Sequence, residues 1–169
     1  MLPLRHESNG FVQSPMDQVF AHIDDHTRLS SHMGEPSWKM GGGRMETVVD
    51  EGRGQKVGSR IRLSGRVFGV ALSVEEIVVA RDPPRRKVWE TTGAPKLLVI
   101  GHYRMGFELS PQGSGSMLRV FIEYALPEGA PARWLGRLFG RYYARWCTRQ
   151  MVDGAVRHFE MQPARQRSN

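Results

Sequence analysis

Hydrophobic and polar positions alternate with period two through most of the middle of the chain. In 116–126, Leu118, Val120, Ile122, Tyr124 and Leu126 share one parity, against Arg119 and Glu123 on the other. In 99–110, Tyr103, Met105, Phe107 and Leu109 oppose His102, Arg104 and Glu108. Successive side chains of a strand point to opposite faces, so each run predicts a strand with one apolar face and one wet face. The same reading predicts a first strand over 4–13 and further strands over 44–51, 57–68, 70–81 and 86–93. Six consecutive strands joined by short turns predict an antiparallel meander. The clearest turns are "RDPPRR" and "SPQGSGS", because Pro fixes φ and Gly permits positive φ.

The period changes at both ends. Ser14 is expected to cap a short helix, "SPMDQVFAHID", with Pro15 at its first position. A second helical turn is expected around "DHTRLSSHM", and Gly34, Pro36 and Gly41 to Gly43 predict a loop over 34–43. From Pro131 to about Phe159 the pattern is helical, with rows four residues apart. One row is Arg133, Arg137, Arg141, Arg145 and Arg149; the next is Trp134, Leu138, Tyr142 and Trp146; the third begins Leu135, Phe139, Tyr143 and Cys147. Two adjacent apolar rows predict a wide aromatic face turned onto the apolar face of the sheet. Rows at this spacing drift by about 40° per step, so the helix should cross the sheet obliquely. Gly136, Gly140 and Ala144 form a small row beside the large ones, which either permits a close approach or marks an irregular first turn.

Length and composition narrow this to one domain. The chain has 169 residues, of which 40% are hydrophobic, enough for a single core over 1–160 followed by a flexible basic tail at 161–169. The longest apolar runs fall far short of the roughly 20 residues that cross a bilayer, and "MLPLRHESNG" lacks the hydrophobic stretch of a signal peptide. A soluble, cytoplasmic protein is expected. Cys147 stands alone, so no internal disulfide is expected. The net charge of +7 sits almost wholly at the carboxy-terminal end. Residues 131–169 hold eight Lys or Arg and two acids, a net of +6, which leaves 16 bases against 15 acids elsewhere. Nucleic acid is therefore not the expected partner, whereas the basic helix could give weak, salt-sensitive contact with an anionic membrane. Nothing in the sequence sets an oligomeric state.

The order of elements, together with "SPMDQVFAHIDD", "VGSRIRLSGRV", "VVARDPPRRKVWE" and "YRMGFELSPQGSGSMLRVFIEYALP" ahead of a long last helix, resembles the START-related SRPBCC superfamily. Within it the chain is most similar to the bacterial polyketide cyclase/dehydrase and lipid-transport type proteins. The resemblance covers about residues 5 to 160 and rests on architectural motifs. It implies an α+β helix-grip fold, with a curved antiparallel sheet of about seven strands, two short helices and a long carboxy-terminal helix covering the sheet. It also implies an apolar cavity between sheet and helix. Members of a shared fold differ in what lines such a space.

By strand parity, Ile61, Leu63, Val74, Val78, Trp89, Tyr103, Met105 and Phe107 face inward, and Leu135, Phe139, Tyr142, Tyr143 and Trp146 are expected to supply the helix wall. A small hydrophobic or amphipathic ligand is the expected partner, because an apolar pocket with a few phenol or indole tips suits such a molecule. The alternative is an enzyme similar to the aromatase/cyclases acting on a polyketide-like chain in the same place, with Glu76 as the candidate catalytic carboxylate. A third reading is a basic-surface interaction module. Glu76 shares parity with Val74 and Val78, whereas a register one residue away would turn Glu75 inward. Whichever glutamate points outward should meet Arg60, Arg62 or Arg66. His22 and His26 have a helical metal-pair spacing, with Asp25, His32 and Glu35 nearby, but a break at Asp24 and Asp25 separates them. Neither a metal nor a cofactor is expected. Cys147 lies on an apolar row and reads as packing, and His6, His102 and His158 have no evident partners in the sequence.

Overall fold

The computed structural model describes residues 2–29 and 44–161. The loop expected at 34–43, with His32 and Glu35, and the tail beyond Met161 lie outside the described residues. The described elements are β1 (Leu4–Val12), α1 (Met16–Ile23), α2 (His26–Leu29), β2 (Arg44–Val49), β3 (Arg60–Val67), β4 (Val70–Asp82), β5 (Arg86–Lys96), β6 (Tyr103–Gln112), β7 (Gly115–Tyr124) and α3 (Ala130–Met161). All seven strands form one sheet in the order β1-β7-β6-β5-β4-β3-β2, with every pairing antiparallel. The meander is therefore closed at one edge by the first strand, and the whole is the α+β helix-grip architecture. At the β3–β4 turn, Val67 pairs with Val70 across Phe68 and Gly69. Both turn residues have positive φ, 52° and 77°, the geometry that matches the twist of the flanking strands.

Alternation on these strands builds the core. Ile61 and Leu63 of β3, Val74 and Val78 of β4, Trp89 of β5, Met105 and Phe107 of β6, and Val120 and Ile122 of β7 are buried together. Two strand starts lie three or more residues from the sequence expectation. The run expected from 57 becomes a strand only at Arg60, because Gly58 has φ of 89° and the Asp50 carboxylate accepts the Arg60 N–H at 2.8 Å to hold the preceding turn. The run expected from 99 starts at Tyr103, and Val99 and Ile100 instead lie against Gly136 and Gly140 of α3. The expected cap also differs. Pro15 occupies the N-cap of α1, while the Ser14 hydroxyl donates to Gln18 Oε1 at 2.9 Å and the Ser14 carbonyl accepts from Ser116 Oγ at 2.8 Å.

The break at Asp24 and Asp25 is built into the fold. Asp25 Oδ1 accepts the Thr27 N–H at 3.0 Å, starting α2, while Asp24 turns inward. Its carboxylate accepts from Arg81 at 2.8 Å and lies 3.1 Å from Lys87 Nζ, and its carbonyl accepts from that same ammonium at 2.6 Å. Lys87 is wholly buried, and burial pushes its pKa below the usual lysine value while the Asp24 charge opposes that change. The pair fixes the α1–α2 corner onto β4 and β5, since removing either partner would leave a buried charge uncompensated.

The long helix corrects the sequence reading. Its sheet-facing ridge is the small row, Gly136, Gly140, Ala144, Thr148 and Val152, joined in the second half by Cys147, Met151, Ala155 and Phe159. A Cβ at Gly140 would lie 2.9 Å from the Val99 carbonyl oxygen, and one at Gly136 2.7 Å from Pro127 Cδ. The glycines thus serve close approach of backbone to backbone, rather than marking an irregular turn. On strand β1, Gly10 makes room for the Val152 side chain, and Ser8 Oγ shares a 2.8 Å hydrogen bond with Thr148 Oγ1. With the small row inward, Leu135, Phe139 and Tyr142 are exposed and do not form the inner wall, as do neither Trp134 nor Leu138. Only the second half of the helix turns an apolar row inward. No helix among the described residues is long and apolar enough to cross a membrane.

Candidate functional site

Strand β4 supplies the chemistry. Its register pairs Glu76 with Ile61 of β3 and Thr91 of β5, on the parity of Val74 and Val78. Glu76 is therefore the inward glutamate, 3% exposed, whereas Glu75 turns out and accepts from Arg62 Nη2 at 2.5 Å. Three other elements converge on the buried carboxylate. The Tyr103 phenol of β6 donates to Glu76 Oε1. His26 of α2 places Nε2 3.1 Å from Glu76 Oε2, within hydrogen-bond distance of the second oxygen. The Trp89 ring meets the His26 ring edge-on, with centroids 5.0 Å apart. From α3, Tyr143 and Cys147 come near enough to feel the carboxylate.

This arrangement sets the protonation of its neighbours. Burial pushes the Tyr103 hydroxyl well above its usual pKa, and the Glu76 charge and hydrogen bond push it further, so the phenol keeps its proton and acts as donor. Tyr143 is raised in the same way, by burial first and then by Cys147 and Glu76. The Cys147 thiol is pushed up to about 12, again by burial and then by Glu76. A thiol in that state is not a nucleophile at neutral pH. What remains is a buried carboxyl group with a hydrogen-bond partner on each oxygen, set among apolar side chains. Such a group can orient the polar end of a bound molecule, or exchange a proton with the imidazole while the phenol holds it in place.

Of the residues expected at the site, Ile61, Leu63, Val74, Val78, Trp89, Tyr103, Met105 and Phe107 are buried in one interior cluster, with Tyr143 and Trp146 packed against it. Leu135, Phe139 and Tyr142 lie outside it. The sequence reading weighed His26 only for its spacing from His22, set that pair aside because of the break at Asp24 and Asp25, and did not connect His26 with Glu76, fifty residues away. No local signal carries that contact, because it depends on how α2 sits against β4. His22, the other half, stacks on His158 with centroids 3.6 Å apart, which gives His158 a partner the sequence did not reveal. His102 Nδ1 lies 3.1 Å from the Thr91 hydroxyl. Among the described residues no three His, Cys, Asp or Glu side chains gather closely enough to hold a metal ion.

Comparison with known proteins agrees with this architecture. The sequence profile of the family described as polyketide cyclase / dehydrase and lipid transport matches residues 11–160. No curated protein sequence matches the chain. Among solved structures, the ZhuI aromatase/cyclase from Streptomyces sp. R1128 is similar with a TM-score of 0.71 at 13% identity, covering 98% of each chain. The di-domain aromatase/cyclase StfQ of the steffimycin biosynthetic pathway gives a TM-score of 0.66 at 14% identity, over 95% of this chain and 52% of that one. Ara h 8.0201 gives 0.61 at 13% identity, over 90% of this chain and 97% of that one. At these identities the likeness to solved structures is one of fold.

Proposed function

We propose that this chain, which belongs to the polyketide cyclase / dehydrase and lipid transport family and with it to the SRPBCC superfamily, binds or carries a small hydrophobic or amphipathic molecule between the concave sheet face and α3. The observation that carries the proposal is the Glu76 carboxylate, buried among apolar side chains and held by Tyr103 and His26. A purely apolar interior would be cheaper to fold, since a buried carboxylate carries a desolvation cost that its hydrogen bonds only offset. In this reading Glu76, Tyr103 and His26 receive the polar end of the ligand. The apolar body lies against Trp89, Met105, Phe107 and Trp146. The proposed setting is cytoplasmic, consistent with the single Cys147 held as a thiol. The test is native mass spectrometry, with solvent extraction, of freshly purified protein. A co-purifying apolar molecule should be present, and Glu76→Leu should reduce its occupancy. Retention of no molecule, together with no stoichiometric uptake of an environment-sensitive apolar dye, would refute the reading.

A second reading, an enzyme similar to the aromatase/cyclases, is favoured by one contact: His26 Nε2 at 3.1 Å from Glu76 Oε2, a pair able to relay a proton. If the pair is catalytic, Glu76→Gln should abolish turnover of a poly-β-keto substrate analogue while leaving its affinity nearly intact. If the chain only binds, the same substitution changes affinity alone.

A further inference from the structure

The first half of α3 exposes what an amphipathic helix normally hides. Trp134 is 65% exposed, Leu138 53%, Phe139 51% and Tyr142 69%. Leu135 is exposed beside them. The small row of Gly136 and Gly140 faces the chain at Val99, so the row Trp134, Leu138 and Tyr142 points directly away from the protein, at 100° per residue. Leu135 and Phe139 border that row on one side. Arg133, Arg137, Arg141 and Arg145, all exposed, border it on the other. From Ala130 to Val152 the helix contains no acidic residue, and among the described residues no acid lies within ion-pair distance of these arginines. The apolar patch runs for about 12 Å along the helix, from Trp134 to Tyr142, at about 1.5 Å per residue.

We infer that this face docks on an anionic lipid bilayer, lying in the interface plane with Trp134, Leu138 and Phe139 among the upper acyl chains and the arginine row on the headgroup phosphates. Charge complementarity selects this occupant. A second copy of the chain meeting the same face would set two arginine rows together with no acids to answer them. A nucleic acid would satisfy the arginines and leave Leu135, Leu138 and Phe139 in water. A bilayer of anionic lipids satisfies both rows, and Trp and Tyr, with an apolar body and a polar tip, suit the headgroup boundary. The docking also places the helix that closes the interior against a source of hydrophobic molecules, although the inference rests on the exposed face and not on ligand binding.

The experiment is co-sedimentation of the full chain with large unilamellar vesicles of phosphatidylcholine alone or with about 30 mol% phosphatidylglycerol, in low and high salt. Binding to the anionic vesicles should exceed binding to neutral ones by about tenfold or more, and should weaken without vanishing between about 0.1 and 0.5 M salt, because only the charge contribution is screened. Lipids brominated on the upper acyl chain should quench tryptophan fluorescence in the native chain, and Trp134→Phe should remove most of that quenching. Leu138→Asp with Phe139→Asp should abolish binding in salt, and Arg137→Glu with Arg141→Glu should weaken binding to anionic vesicles by about 30-fold or more. Both pairs alter exposed positions, so the far-ultraviolet circular dichroism and the melting temperature should hold. Equal binding to both vesicle types, full binding by the Asp pair, or no quenching by brominated lipid would each overturn the inference. So would tighter binding to RNA than to anionic vesicles, or a dimer in solution that the Asp pair dissociates.

Discussion

Two glycines of the same helix should respond in opposite directions to the same substitution. Gly→Ala inside a helix ordinarily gains about 1 kcal/mol, because alanine loses less backbone freedom on folding. At Gly154 an added Cβ meets nothing within 4 Å, so Gly154→Ala should realise that gain. For a chain of this size it amounts to a rise of about 2–4 °C in melting temperature. At Gly140 the added Cβ would stand 2.9 Å from the Val99 carbonyl oxygen and 3.5 Å from Tyr124 Cε2. The near neighbour is backbone, which cannot rotate away, so the helix or the 97–100 segment must shift by about half an ångström. Overpacking of this kind costs about 1–3 kcal/mol, and the propensity gain offsets about 1. Gly140→Ala should therefore destabilise by about 1 kcal/mol, lowering the melting temperature by roughly 2–4 °C. Thermal and urea unfolding of the two variants beside the parent chain measures the difference directly, and an unchanged urea m-value would confirm that the same two states are compared. If both substitutions stabilise equally, α3 does not approach the chain at Val99. The small row would then not be the sheet-facing ridge, and the exposure of the aromatic rows would fall with it.

Three further outcomes test the site and its surroundings. Tyr103→Phe removes one donor from the buried Glu76 carboxylate and should cost about 2 kcal/mol, with a smaller cost in a Glu76→Gln background; a loss below about 0.5 kcal/mol would show the hydrogen bond to be idle. His22 has a folded pKa of about 4 against its ordinary 6.5, lowered by burial first and then by His158 and Arg28, so the unfolded chain takes up the proton first. Stability should accordingly fall as pH drops from about 6.5 toward 4, and His22→Gln should flatten that slope in melting temperature against pH; an unchanged slope would refute the assignment. Cys147, buried with its thiol pushed up to about 12, should resist a thiol-reactive disulfide reagent at pH 8 in the native protein and react fully in denaturant, and rapid native labelling would contradict its burial.

Period-two alternation was enough to find the strands and to favour Glu76 over Glu75 as the inward glutamate, because the pleat ties side-chain direction to sequence position wherever one face is buried, but a slip of one residue would have exchanged the two. Tyr103 was legible for that reason, and so was an arginine partner on the neighbouring strand for whichever glutamate faced out; the register of β3 against β4 made Glu76 the inward one and gave Glu75 to Arg62. The order of charged residues placed most of the net charge on the last helix and the tail after it. Which row of that helix meets the sheet was not legible. Hydrophobicity favours the aromatic rows, but the ridge that wins is the one small enough to bring the helix backbone against the Val99 carbonyl, and that preference depends on a segment thirty-seven residues before Gly136. The contact between His26 and Glu76 belongs to the same class. Each residue is placed by its own element, and only the packing of α2 over β4, fixed by the buried Asp24 and Lys87 pair, brings the imidazole to the carboxylate. Local periodicity determines which way a side chain points; what it points at is decided by contacts between elements far apart in the chain, where steric fit and buried charge outweigh any propensity read from neighbours.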